Sequence, residues 1–96
     1  MSGASPASFT LSIRTPEKSL FEGNAQMVML PGIEGDLGVL PRHMAIITQL
    51  RAGQITVHKT NHEHVSFQIS SGYAHFGQNE GKIVVKLPAP LEGNKS

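Results

Sequence analysis

Between Phe9 and Leu87 the apolar residues fall at every second position in short runs, and nearly every run is closed by glycine, proline or asparagine. Side chains that alternate in this way line one face of an extended strand, whereas a helix requires spacings of three and four. Phe9, Leu11 and Ile13 point one way and Thr10, Ser12 and Arg14 the other, until Pro16 removes a ladder donor. Residues 19–22 read as a second strand closed by Gly23-Asn24, and residues 25–30 as a third stopped by Pro31-Gly32. Gly32, Gly35 and Gly38 then surround a short hydrophobic piece that ends at Pro41. Ile55 and Val57 alternate before Thr60-Asn61-His62, and Val65, Phe67 and Ile69 alternate after it, which is the pattern of a hairpin. Ser71-Gly72 opens residues 73–76, and Ile83, Val85 and Leu87 share one face of the last strand before Pro88.

Residues 44–50 admit two readings. Met44, Ile47 and Leu50 would share a helix face, with Pro41 near an acceptable N-terminal position. Ile46-Ile47-Thr48 and the short length favour a strand, and a helix here would stand alone among strands. A strand is expected. The sum is about eight or nine short strands, and one sheet cannot hide its own apolar face from water, so an all-β domain of two packed antiparallel sheets or a closed barrel follows. The expected core is Phe9, Leu11, Ile13, Val28, Leu30, Val39, Ile47, Ile55, Val57, Val65, Phe67, Ile69, Ile83, Val85 and Leu87.

A chain of 96 residues supports one such core. Charged residues make up 16%, fewer than the roughly 25% of an average domain, which suits a surface that rests partly on a partner. Arg14, Lys18, Arg42, Arg51, Lys59, Lys82, Lys86 and Lys95 are scattered, the net charge is +1, and tryptophan is absent. Nucleic-acid binding needs a phosphate-neutralising patch with stacking platforms, so no nucleic-acid partner is expected. Without cysteine there is no disulfide, thiol chemistry or thiolate zinc site. No apolar run approaches the ~20 residues of a membrane span, and residues 1–8 carry neither a basic nor an apolar targeting region. Any membrane association is expected to be indirect, through a partner.

Candidate chemistry is sparse. His58, His62 and His64 lie close enough in sequence to share a hairpin, which makes a three-histidine metal site conceivable; a polar hairpin tip accounts for the same residues, and no metal is expected. Glu34 and Asp36 near His43 could be imagined as an acid–base set, but the acidic residues nearly all sit in turns, as solvated groups do. Ser70-Ser71-Gly72 lacks the Gly-x-Ser-x-Gly elbow of a nucleophile. The spacing of Gly32, Gly35 and Gly38 is neither a dinucleotide fingerprint nor a P-loop, and no Lys-Ser/Thr completes it. A structural turn built on Gly32, Gly35, Gly38 and Pro41 is the plainer account. No catalytic residue, cofactor or metal is expected, and a binding module is the leading class.

The stretch from Pro31 to Gly53 closely resembles the signature of the epsilon subunit of F1Fo ATP synthases, called delta in mitochondria. Gly32, Gly35, Leu37, Gly38, Val39, Pro41, His43, Leu50 and Gly53 fall on that pattern in register. Phe21-Glu22-Gly23, Ser71-Gly72 and Val84-Val85 match flanking features, and the resemblance covers residues 9 to about 88. It departs at residues 73–77, where members commonly carry a more aliphatic strand, and His75 stands there as a solvated edge or an altered partner contact.

The resemblance implies a ten-stranded flattened antiparallel β-sandwich over residues 9–88, with a disordered lead at 1–8 and a flexible tail at 89–96. It implies a non-catalytic rotor subunit that joins the gamma subunit to the c-ring during proton-driven ATP synthesis, at the cytoplasmic face of a bacterial inner membrane. Glu34, Gly35, Asp36, Arg42 and His43 are the implied c-ring contacts; the gamma-facing residues stay unassigned. Family members usually continue into paired C-terminal helices that bind ATP and restrain hydrolysis. Those properties are not carried over, and the chain is read either as a natural short form, which its first methionine and plain tail favour, or as the first domain of a longer protein. A small ligand-binding β-sandwich is the alternative function, and an apolar cleft would distinguish it.

Overall fold

The structure, a computed structural model, describes residues 7–42 and 45–89. The lead expected at 1–8 and the tail expected at 89–96 fall almost wholly outside that range, as do His43 and Met44. Eight strands, and no helix, form among the described residues: β1 (Phe9–Arg14), β2 (Ser19–Gly32), β3 (Gly35–Val39), β4 (Ile46–Leu50), β5 (Gly53–Lys59), β6 (His64–Ile69), β7 (Ser71–Gly77) and β8 (Glu80–Lys86). The all-β expectation and the strand reading of residues 46–50 are borne out.

The count of eight against ten has a local cause in β2. Gly23-Asn24 does not end a strand, because β1 supplies a full ladder there, pairing Leu11 with Gly23 and Thr10 with Asn24. Pro31 does not end one either. The donor it lacks would point to the side on which its carbonyl accepts the Arg51 N–H at 2.9 Å, and on that side the β2–β5 ladder has already stopped at Met29–Thr56. Fourteen residues therefore run as one strand.

The strands follow one hydrogen-bonded path, β1-β8-β7-β4-β2-β5-β6, with β3 on β2 and β1 closing back onto β2. The first half of β2 pairs with β1, and its second half pairs with β3 and β5. A register shift between Ala25 and Met27 bends the strand from one layer to the other, as a bulge does. The layers are thus β1-β8-β7-β4 and β3-β2-β5-β6, with β2 in both. One pairing departs from the expected antiparallel arrangement, since β1 and β8 run parallel.

The core lies between the layers. Phe9 and Phe76 meet edge to face with ring centroids 6.0 Å apart, a geometry worth about 0.5–1.5 kcal/mol beyond the area buried. Phe9, Leu11, Ile13, Val28, Leu30, Val39, Ile55, Val57, Ile69, Ile83 and Val85 are buried as the alternation requires, and Val65 and Phe67 pack half-buried against them. Two expected core residues are corrected: Ile47 is 80% exposed and Leu87 40% exposed. Leu50 faces Gly32 on one side and Gly72 on the other and is buried, so β4 turns its even-numbered positions inward and Ile47 outward. Leu87 lies beyond the end of β8. Ala25, Leu50, Ala74 and Phe76 complete the core and were not expected there.

The polar end of the β1–β2 hairpin closes locally. Thr15, the buried polar residue, accepts the Glu17 and Lys18 N–H groups on its hydroxyl, each at 3.1 Å, and fixes the turn.

Candidate functional site

The sequence points first to the β2–β3 hairpin. Gly32 pairs with Gly35, leaving Ile33 and Glu34 at the tip, and neither has a positive φ. The change of hand falls on Gly35, at φ +137°, where a side chain would be strained. Gly32 is buried for a different reason: a Cβ there would stand 2.6 Å from the Gly35 carbonyl oxygen. Gly38 lies inside β3 opposite Met29, with no positive φ, and not in a turn.

Arg51, which the sequence did not single out, braces this tip. Its Nε donates to the Gly32 carbonyl at 3.1 Å, and its Nη2 donates to the Asp36 carboxylate. The backbone adds two bonds, Ile33 N–H to Gln49 oxygen and Arg51 N–H to Pro31 oxygen, each at 2.9 Å. Asp36 is thereby held, while Glu34 stands exposed at the tip beside the half-exposed Ile33. The result is a braced, polar protrusion in which Asp36 is already paired with Arg51 and Glu34 is the carboxylate presented to a partner.

The five residues implied as c-ring contacts are not brought together. Glu34, Gly35 and Asp36 share the hairpin tip, whereas Arg42 follows β3 and Pro41 at its other end, about 14 Å away by strand rise. Arg42 takes a positive φ of 73° and lines an open depression with Ser8, Gln78 and Asn79 at the foot of the β7–β8 hairpin. Pro41 sits in that turn, and His43 lies outside the described residues.

A second surface was invisible in the pattern. On the outer face of β4-β7-β8, Ile47 stands opposite His75 and His75 opposite Lys82; in the next row Gln49 stands opposite Tyr73 and Tyr73 opposite Val84. Ile47, Tyr73 and Val84 are 80%, 64% and 44% exposed. Lys82, Lys86 and Arg14 lie around them, giving an apolar centre with a basic rim. Lone exposed apolar residues are ordinary, but a cross-strand cluster of large ones marks an interaction site. The signal available was the pair Ile46-Ile47, which gives β4 apolar side chains on both faces.

Nothing here composes catalytic chemistry. Among the described residues no group of three or more His, Cys, Asp or Glu is placed to hold a metal. His58 and His64 meet across β5 and β6, while His62 sits in the turn at φ 71°. Glu63 accepts from Lys59 Nζ at 3.3 Å, and that bond, with Asn61 in support, holds its carboxyl below the ordinary carboxylate range. The surface depressions are open, and two of them are lined largely by polar side chains such as Arg42, Asn79, Glu80 and Lys82.

The family model described as ATP synthase, Delta/Epsilon chain, beta-sandwich domain matches residues 8–87. The ATP synthase epsilon chain of Nitratiruptor sp. is 35% identical over 83 residues, covering 86% of this chain and 64% of the relative. That of Campylobacter lari is 35% identical over 85 residues, covering 88% and 65%. ATP synthase epsilon chain 2 of Nitrobacter hamburgensis is 40% identical over 85 residues, covering 88% and 62%. The chain therefore spans just under two thirds of the length of these relatives. Among solved structures, the mitochondrial ATP synthase of Euglena gracilis (OSCP/F1/c-ring) contains a chain that superposes with a TM-score of 0.78 at 26% identity, covering 94% of this chain and 57% of that one. The central stalk and c-ring of the Tetrahymena thermophila enzyme gives 0.66 at 20% identity, covering 80% and 62%, which is a likeness of fold.

Proposed function

The chain belongs to the ATP synthase delta/epsilon family, by the match of its β-sandwich domain over residues 8–87, and from that membership we propose that it is a non-catalytic rotor subunit coupling the c-ring to gamma. Residues 9–88 are the docking domain, with 1–8 and 89–96 its lead and tail. The flattened, ten-stranded sandwich of the family is reached by counting each half of β2 in its own layer and allowing a further short segment. Its place is the cytoplasmic face of a bacterial inner membrane, held there through the complex.

The observation that carries this reading is the outer face of β4-β7-β8. A domain this small leaves Ile47, Tyr73 and Val84 together in water only at a cost that a partner removes. Gamma is assigned to that face, through its apolar centre and basic rim. The c-ring is assigned to the braced hairpin tip, with Glu34, Gly35 and Asp36 meeting its polar loops. Arg42 belongs to the opposite end of β3 and fits a second contact rather than the same one, and His43 stays a c-ring candidate on its motif position alone.

The test is retention of the tagged chain on immobilised gamma with c-ring. Retention is expected; clean elution from both, by a chain whose melting curve shows it folded, refutes the assignment.

A further inference from the structure

On the outer face of the β5–β6 hairpin, His58 and His64 stand directly opposite each other. Their ring centroids are 4.0 Å apart and their planes are inclined by 35°. A metal ion held by imidazole nitrogens at about 2.0–2.1 Å needs those nitrogens roughly 2.9–3.4 Å apart for ligand angles near 90–110°. The rings are stacked rather than coplanar, so ligation requires both side chains to rotate about their own bonds until a nitrogen of each points at one ion, while the facing backbone positions stay as they are.

The backbone beneath the pair is already fixed. The β5–β6 ladder runs unbroken from Gly53–Ile69 to His58–His64. The turn beyond it is closed by Lys59 N–H to Glu63 oxygen at 2.8 Å and by Glu63 N–H to the Asn61 side chain at 3.1 Å. Two imidazoles held in register need little further ordering to bind together.

We propose that His58 and His64 form a two-histidine clip for a borderline divalent transition-metal ion, Cu2+ most tightly, then Ni2+ and Zn2+. Imidazole suits these ions, and the order of affinity follows the general trend for nitrogen donors. Among the described residues no third His, Cys, Asp or Glu joins the pair, so the remaining positions go to water or to a donor from outside the chain. Met27 pairs with His58 on β2, but its methyl end leans toward Gly38 on the far side, and it is not counted as a ligand. An ion bridging the pair would staple β6, the outer strand of its layer, to β5.

The experiment is calorimetric titration of the whole chain with CuCl2 and NiCl2 in a non-chelating buffer. One ion per chain is expected, with affinity falling in mild acid because a protonated imidazole cannot ligate. His58→Gln and His64→Gln should each weaken binding about tenfold or more, while His62→Gln and His75→Gln leave it unchanged. Equal affinity of the wild-type chain and the His58→Gln/His64→Gln double variant overturns the proposal. Proton NMR of the wild-type chain provides a reading that no variant's folding can obscure. Paramagnetic broadening confined at low metal to the His58 and His64 rings supports the clip, and broadening first at another histidine refutes it.

Discussion

The two outer faces of the sandwich obey the same alternation and cover the same core, yet they differ in what they ask of their surroundings. On β5 and β6 the outward positions carry Gln54, Thr56, His58, His64, Ser66 and Gln68, and a hydroxyl hydrogen bond of 3.2 Å joins Thr56 and Ser66. That face is complete in water. On β4, β7 and β8 the outward positions carry Ile47, Tyr73 and Val84, which gain by being covered. Inward residues make the fold; the contrast between faces shows that outward residues decide which side of it is free to dock.

The largest effect should come from breaking that asymmetry. Ile47→Asp with Tyr73→Asp is expected to lower retention on gamma by about 100-fold or more, as loss of central apolar anchors does, with the melting temperature little changed. Gln54→Glu with Ser66→Lys on the other face should leave retention as it was. Equal losses from both faces would end the assignment of gamma to one of them.

Next in size are the glycines of the β2–β3 hairpin, read by urea denaturation. Gly32→Val drives a side chain into the Gly35 carbonyl and should cost about 2–3 kcal/mol. Gly35→Val meets no neighbour but must adopt φ +137°, at about 1–2 kcal/mol. Gly38→Val presses only on Met27 and Met29, which can move, and should stay within about 0.5 kcal/mol. A large cost at Gly38 would mean that the methionines over it are less free than their unbranched chains suggest.

The smallest effect belongs to the self-contained β5–β6 turn. Lys59 lowers the Glu63 carboxyl in the folded chain, so the bond adds stability above the unfolded carboxylate range and loses it as pH falls through the folded value. Glu63→Gln should therefore lower the melting temperature slightly near neutrality and leave it unchanged in strong acid, which flattens the acid side of the profile. Glu63 is fully exposed, and the change will be small.

The strands and most of the core were legible because period-2 alternation is a local property that tertiary packing here left intact. Phe9, Leu11, Ile13, Ile83 and Val85 needed only their own neighbours to be placed. Ile47 was misplaced because β4 carries apolar side chains on both faces, and which one turns inward is settled at a distance, by Leu50 seating between Gly32 and Gly72. The continuity of β2 was hidden for a related reason: Gly23, Asn24 and Pro31 are breakers in isolation, and only the ladders of β1 and β3 show why they break nothing. At the candidate site the hairpin tip was visible in its glycines, but its brace was not, since Arg51 lies 15 residues from Asp36 in sequence. The split between the tip and Arg42 was likewise beyond the motif, which is a string and does not record that β3 stands between its two ends.

One strand threading both layers has a mechanical consequence. In a sandwich whose sheets touch only through side chains, a twisting load on one sheet reaches the other by friction between greasy surfaces, and slip is the failure mode. Here the load path is covalent, passing along β2 from the layer beside β1 into the layer beside β5. The hydrogen bonds flanking it are strained in shear and share the force, rather than opening one at a time from an end. Such a part resists torsion, which is what the proposed coupling of c-ring to gamma would ask of it.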